Sequence, residues 1–134
     1  DTFQLAALQR ECREVFCDPA LMQYAVKLVG ATRRPDRHGL PELAKYITYG
    51  ASPRATIGMI EGAKALAMLR GRRYVLPEDM TDLVPDVMRH RVVLSYEALA
   101  ENITADALVQ RVLAKIPAPD KPLAHAPGGG TAHG

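Results

Sequence analysis

Aromatic residues are scarce in this sequence, and tryptophan is absent from it. Phe and Tyr together make up 5% of the 134 residues, against abundant Ala, Leu and Val. Strands favour aromatic and β-branched side chains, whereas Ala and Leu are strong helix formers. The composition therefore predicts an all-α fold. The length fits one domain that can bury a hydrophobic core without a disulfide or a metal.

Charge of one sign, cysteine and long apolar runs are also scarce. The formal net charge is +2 and the basic residues are scattered, so charge gives no basis for a nucleic-acid partner. Cys12 and Cys17 lie close together without a histidine cluster, which predicts reduced thiols and no metal site. No segment reaches the ~20 apolar residues of a membrane span, and no signal-peptide pattern is present. We therefore expect a cytoplasmic protein with no membrane span.

Helix start and stop signals divide the chain. Apolar spacing predicts an amphipathic helix over 3–15, and prolines at helix-start positions predict helical segments that begin at Pro19, Pro41, Pro53 and Pro77. We expect Pro85 to split residues 77–90 into two short pieces, and Thr104 to cap a last helix that ends before Pro117. Residues 92–94 are too few to distinguish strand from helix.

These signals predict a helical domain over 1–119, followed by a disordered tail rich in proline and glycine over 120–134. The missing initial Met suggests a fragment of a longer chain. The helix from Pro53 to about Arg70 has apolar residues almost all round, so we expect it to form the core of a bundle. Two apolar rows on the helix after Asp18, one of them containing Met22 and Val26, predict that this helix is buried on more than one side.

The turn Gly50–Ala55 is the most informative stretch. Ser52 is suited to the N-cap and Pro53 to the first helical position, which places Arg54 in the first turn. A cation there opposes the helix dipole, whereas the unpaired N–H groups of the turn favour an anion. The pattern predicts a site for a phosphate or a carboxylate. The alternative is an arginine whose side chain simply extends into solvent.

Motifs of a complete catalytic site are missing. The sequence contains no glycine-rich phosphate loop, no zinc-protease motif and no nucleophile elbow. Five segments nevertheless occur in a recognisable order: Tyr24–Arg33, Gly50–Ala55, Gly71–Asp79, Arg89–Arg91 and Ser95–Ala98. Together they resemble the C-terminal helical lid domain of MoxR-type AAA+ ATPases, over about residues 2–119. Leu76 and Asn102 depart from the family pattern, where a Thr or Ser cap and a Gly are common.

The resemblance implies a four-to-five-helix bundle of the AAA+ lid type that closes over ATP and Mg²⁺ held mainly by a separate core domain. Arg54 then corresponds to the sensor-2 arginine, which reaches the γ-phosphate, with Ser52 and Pro53 beside it. Tyr24 and Leu28 are candidates for the adenine side of the nucleotide pocket. The alternative is that both are ordinary core residues.

Partners also follow from the resemblance alone. They are the chain's own AAA+ core domain, neighbouring subunits in a ring, commonly a hexamer, and a von Willebrand factor A domain protein in chaperone-like maturation of other proteins. Arg89 and Arg91 could contact a neighbouring subunit or could form a solvated helix end. The domain alone should not hydrolyse ATP. Two other functions remain open: a helical protein-interaction module without a nucleotide role and, less favoured by the scattered basic residues, a DNA-binding domain.

Overall fold

The structure, a computed structural model, describes residues 2–119, so the predicted tail at 120–134 lies outside the described residues. Helices dominate this part of the chain, which confirms the all-α prediction. In chain order, the helices and strands are α1 (Thr2–Arg13), α2 (Pro19–Arg33), β1 (Ile47–Tyr49), α3 (Arg54–Leu69), α4 (Pro77–Arg89), β2 (Val93–Leu94), α5 (Tyr96–Ala100) and α6 (Ala105–Lys115). Two 3₁₀ turns, Pro35–His38 and Pro41–Tyr46, connect α2 to β1.

Local capping explains several of the helix boundaries. The Asp18 carboxylate accepts the N–H of Ala20 at 2.8 Å, and the Thr104 hydroxyl accepts the N–H of Ala107 at 3.1 Å. Each bond satisfies a donor that the first helical turn leaves unpaired. Gly71 has φ +83°, the left-handed conformation that commonly follows a helix. The predicted starts of α2 and α6 and the predicted stop after α3 are confirmed.

The prediction that Pro85 divides residues 77–90 is wrong. Pro85 lies inside one continuous helix, α4. Proline removes a single backbone donor, and an interior proline costs a helix roughly 3 kcal/mol. Met80, Val84 and Met88 are almost fully buried along the same helix, at 0–1% exposure. Burial of three large apolar side chains is comparable to or larger than that cost, so tertiary packing keeps the helix continuous.

A small antiparallel sheet was not predicted. β1 pairs with β2, with Ile47 opposite Leu94 and Tyr49 opposite Val93. Of residues 92–94, whose conformation the sequence left open, Val93 and Leu94 form the strand and Val92 precedes it. The five-residue helix α5 follows, and Asn102 then takes φ +60°. This left-handed angle explains why a glycine is common at that position, and Asn is one of the few other residues that adopt it readily.

The core lies between α2, α3, α4 and α6, and the predicted burial of two helices needs correction. On α3 one stripe is fully buried, formed by Ala55, Met59, Ala63 and Ala67. Ile57 and Leu69, by contrast, are 58% and 81% exposed, so α3 is not buried all round. Met22 and Val26 on α2 are exposed as well. Both helices have more apolar residues than positions that face a neighbouring helix, so some apolar side chains remain exposed. On α3, alanines occupy three of the four buried positions.

The first helix differs from the rest. α1 has no buried residue, and its apolar side chains Phe3, Leu5 and Leu8 are exposed. It contacts α3, but it contributes nothing to the buried core. Among residues 2–119, no helix is long and apolar enough to cross a membrane.

Candidate functional site

The N-terminus of α3 presents an exposed arginine. The helix begins at Arg54, one residue later than predicted, although Pro53 already has helical angles of φ −57° and ψ −22°. The Ser52 hydroxyl accepts the N–H of Arg54 at 3.2 Å, and the Ser52 carbonyl accepts the N–H of Ala55 at 2.9 Å. The first turn of α3 contains no acidic residue. The positive end of the helix dipole and the positive charge of Arg54 therefore occur in the same turn of α3.

The backbone around Arg54 is firmly held, although its side chain is exposed. Ala51 and Ala55 are both 0% exposed. The N–H of Ala51 donates to the Thr32 hydroxyl on α2 at 3.0 Å. Among residues 2–119, the ion pairs involve other arginines, and none involves Arg54. The structure thus fixes the backbone and leaves the guanidinium available to a group outside the described part of the chain.

The two glycines of α3 have different surroundings. A Cβ on Gly62 would lie 3.5 Å from the side chain of Leu83, so this glycine lies where α3 packs against α4. A Cβ on Gly58 would meet nothing within 4 Å. Gly58 follows Arg54 by one helical turn and shares its face. The surface next to the arginine is therefore open, whereas Gly62 is explained by helix packing.

A cleft of about 360 Å³ adjoins the same turn. It is lined by residues from the end of α2 and from β1, namely Arg33, Arg34, Thr48, Tyr49 and Gly50. The Arg34 guanidinium lies 3.7 Å from the carboxylate of Asp36, and both side chains are about half exposed. A pair of this kind is weak in water. The cleft thus has two arginines in its lining, and through Gly50 it adjoins the turn that leads to Arg54.

Tyr24 and Leu28, the predicted adenine-side residues, lie inside the domain. They are 3% and 0% exposed and belong to the hydrophobic core. Burial raises the pKa of the Tyr24 hydroxyl above its usual value. Their burial agrees with the alternative that both are core residues. Ser52 and Pro53, in contrast, are exposed beside Arg54.

A second charged cluster was missed by sequence reasoning. Asp79, at the start of α4, is 0% exposed, and its carboxylate accepts two bonds from Arg72 at 2.6 and 2.7 Å and one from Arg70 at 3.0 Å. It also accepts the backbone N–H of Leu76 at 2.7 Å. Burial alone would raise the pKa of Asp79, but the bonds from Arg72 and Leu76 hold that pKa below its usual range. The sequence indicated only an acid in the first helical turn.

The Asp79 cluster also includes Leu76, one of the two departures from the family pattern. This residue has no capping side chain, but the carboxylate three positions later satisfies its backbone N–H. Arg89 is likewise used within the domain, because it contacts Asp86 at 3.0 Å and Asp106 at 2.7 Å. Arg91 is exposed. Of the two arginines considered for a neighbouring subunit, only Arg91 has no ion pair with a described residue.

Within residues 2–119, no group of three or more His, Cys, Asp or Glu residues is arranged to hold a metal ion. Cys12 and Cys17 are free thiols. Asp79 is saturated by its arginines, and Arg54 is a cation without a described counterion. The geometry of the described residues suits binding of an anion at the start of α3.

Comparisons with known proteins agree with this architecture. The AAA lid domain family matches residues 43–112, from the second 3₁₀ turn into α6. Chaperone MoxR1 of Mycobacterium tuberculosis is 42% identical over 118 residues, which cover 88% of this chain and 31% of that protein. Protein MoxR of Methylorubrum extorquens is 37% identical over 111 residues, which cover 78% of this chain and 32% of that protein.

A solved structure shows the same fold. The crystal structure of a proposed ATPase from Cytophaga hutchinsonii superposes with a TM-score of 0.79 at 40% identity and covers 83% of this chain and 34% of that one. The chain thus spans about a third of the length of the relatives that it matches. Family match, identity and fold agree, and the chain belongs to the AAA lid domain family as a helical lid of the MoxR type.

Proposed function

We propose that this domain closes over a nucleotide bound by an adjoining AAA+ core domain and that Arg54 acts as the sensor-2 arginine. The core domain would occupy part of the length that the relatives have beyond this match. In this proposal Arg54 contacts the γ-phosphate of ATP, and the helical bundle moves with it as a rigid body. The domain supplies one half of an active site.

The observation that carries the proposal is the unbalanced positive charge at the start of α3. Arg54 is exposed, has no acid in its own helical turn and has no ion pair with a described residue. A cation in this position opposes the helix dipole, so helix stability alone does not account for it. A phosphate group would be attracted both by the guanidinium and by the N-terminal end of the helix. The open surface at Gly58 leaves room for an approaching group.

The residues present fit a phosphate but offer no set of ligands for Mg²⁺ among residues 2–119. Mg-ATP would supply the phosphoryl group and its negative charge when bound to the core domain. Arg54 would donate N–H bonds to the terminal phosphate oxygens, where a fixed guanidinium stabilises the charge that develops during transfer. Once that phosphate leaves, Arg54 loses its strongest attraction and the closed position of the lid loses stability.

Ring assembly and remodelling extend the same proposal. A relative at 42% identity is named a chaperone, and a structural neighbour is described as a proposed ATPase. We propose that the parent protein forms a ring, commonly of six subunits, in the cytoplasm and remodels partner proteins together with a von Willebrand factor A domain protein. Of Arg89 and Arg91, the two arginines considered for contact with a neighbouring subunit or the core, Arg91 is exposed and has no ion pair with a described residue.

The test is ATP hydrolysis by the full-length parent protein with Arg54→Ala. We expect kcat to fall about 100-fold with the dissociation constant of ATP changed only slightly, since the loss of one preorganised donor to the transition state has effects of about this size. Arg54→Lys keeps the charge but not the planar guanidinium, so its kcat should lie between those of the wild type and Arg54→Ala. Arg37→Ala removes another exposed arginine without an ion pair to a described residue, and it serves as the matched control.

One result would favour a different function. If Arg54→Ala retains normal turnover with intact folding and ATP binding, the sensor role is excluded. The exposed apolar side chains of α1, with Phe3 at 86% exposure, would then make a protein-interaction module the better explanation.

A further inference from the structure

A buried hydroxyl joins the turn before Arg54 to the end of α2. Thr32 lies in the last turn of α2 and is 3% exposed. Its Oγ1 donates to the carbonyl of Val29 at 2.7 Å and accepts the N–H of Ala51 at 3.0 Å. The donor and one acceptor site of this hydroxyl are therefore both used, one within α2 and one on the turn. Ala51 precedes Arg54 by three residues.

Gly50 brings the two backbones close enough for this bond. A Cβ at Gly50 would overlap the carbonyl of Thr32 and would lie 2.7 Å from the backbone nitrogen of Arg33. Any side chain would therefore push the turn away from α2. The glycine is required by this close approach, and the hydrogen bond at the next residue depends on it.

The short segment between Ala51 and Arg54 couples the position of the arginine to that of Ala51. Proline fixes φ at position 53, and the Ser52 hydroxyl accepts the N–H of Arg54. Ala51 and Ala55 are both fully buried, so the backbone is held on each side of the arginine. The position of Arg54 at the start of α3 therefore follows the position of Ala51, which Thr32 holds.

We propose that Thr32 is a positioning residue for Arg54, acting through the N–H of Ala51. It keeps the start of α3 in register with the end of α2, so that the guanidinium reaches the phosphate from a fixed backbone. This proposal rests on the sensor role of Arg54 proposed above. Displacement of a catalytic group by about 1 Å can reduce a rate by up to about 100-fold, so a local hydrogen bond can matter for turnover.

The test compares Thr32→Val with Thr32→Ser in the full-length parent protein. Valine has nearly the same shape but no hydroxyl, whereas serine keeps the hydroxyl and loses only a methyl group. We expect Thr32→Val to lower kcat about tenfold with the dissociation constant of ATP within about twofold of wild type. Thr32→Ser should restore most of the rate. A loss of packing alone would instead be larger in the serine variant, because serine leaves a small cavity.

The same substitution in the Arg54→Ala background tests whether Thr32 acts through Arg54. We expect Thr32→Val to cause no further loss of kcat there, since the group that it positions is gone. An equal loss in both backgrounds would overturn the positioning role. So would normal turnover of Thr32→Val beside a slow Arg54→Ala, and in that case the sensor role would stand. Normal turnover of Arg54→Ala would overturn the sensor role and this proposal together.

Amide hydrogen exchange provides a check that needs no variant. In the wild-type chain the N–H of Ala51 is buried and hydrogen-bonded, so it should exchange at a rate close to those of the core amides of α3. Rapid exchange at Ala51 beside a protected α3 would overturn the proposal. Should Thr32→Val fail to fold, this measurement and Gly50→Ala, which displaces the turn but keeps the hydroxyl, test the same link.

Discussion

The N-termini of α3 and α4 use charge in opposite ways. At α4, acids occupy the first turn, and Asp79 is buried against two guanidinium groups and a backbone N–H. At α3, the first turn has no acid and presents Arg54 to solvent. The first arrangement follows the helix dipole and pairs the Asp79 carboxylate with groups inside the domain, whereas the second opposes the dipole.

If the proposed function is right, this difference separates a charge that serves the fold, at Asp79, from a charge that serves a ligand, at Arg54. Removal of Asp79 should harm stability, because its partners are inside the domain. Removal of Arg54 should leave stability intact and harm only what the parent protein does. The following predictions test this contrast, in order of decreasing effect on stability.

Asp79→Asn should have the largest effect. The substitution keeps the shape of the side chain but leaves Arg72 and Arg70 without their buried counterion. Breaking a buried ion pair costs about 3–5 kcal/mol, and the partial exposure of the arginines reduces this, so we expect a loss of about 2–3 kcal/mol in the free energy of unfolding. Urea denaturation measures it. Asp82→Asn, which removes a half-exposed partner of Arg70, should lose clearly less, and equal losses would contradict the assignment.

Lowering the pH should gradually remove the contribution of Asp79 to the free energy of unfolding. The pKa of Asp79 is lower in the folded state than in the unfolded chain, so its contribution to stability is complete above the unfolded value of about 4. The contribution is then lost as the pH falls through the folded value. The difference in unfolding free energy between wild type and Asp79→Asn should be constant from about pH 5 to pH 8 and shrink below about pH 4. A constant difference down to about pH 2 would show that the carboxylate charge is unimportant.

The sequence predicted those parts of the fold that depend on local signals. Asp18 and Thr104 cap helices where expected, because the capping bond spans only a few residues. The sheet could not be predicted, since Val93 and Leu94 become a strand only through pairing with β1, which is distant in sequence. Pro85 misled the prediction for a related reason: a proline acts locally against a helix, whereas the burial that offsets it comes from packing with other helices.

The candidate site likewise has parts that the sequence predicted and parts that it did not. The turn Gly50–Ala55 was identified from the residues themselves, because a serine, a proline and an arginine at a helix start have local consequences. The bond from Ala51 to Thr32 spans 19 residues, so no local pattern revealed it. Asp79 was visible as a first-turn acid, but its complete burial beneath Arg72 depends on tertiary packing. Sequence therefore located the exposed arginine and missed the contacts that hold its turn in place.

Arg54→Glu should have the smallest and most diagnostic effect on stability. An acid at a helix N-terminus is favourable by about 0.3–1 kcal/mol, so this variant of the chain should be as stable as wild type or slightly more stable in urea denaturation. Arg37→Glu makes the same charge change outside any α-helix, and should gain less. A clear loss of stability in Arg54→Glu would mean that the arginine supports the fold. A gain in stability, combined with lost turnover in the parent, would show that Arg54 acts on the nucleotide and lowers the stability of its own helix.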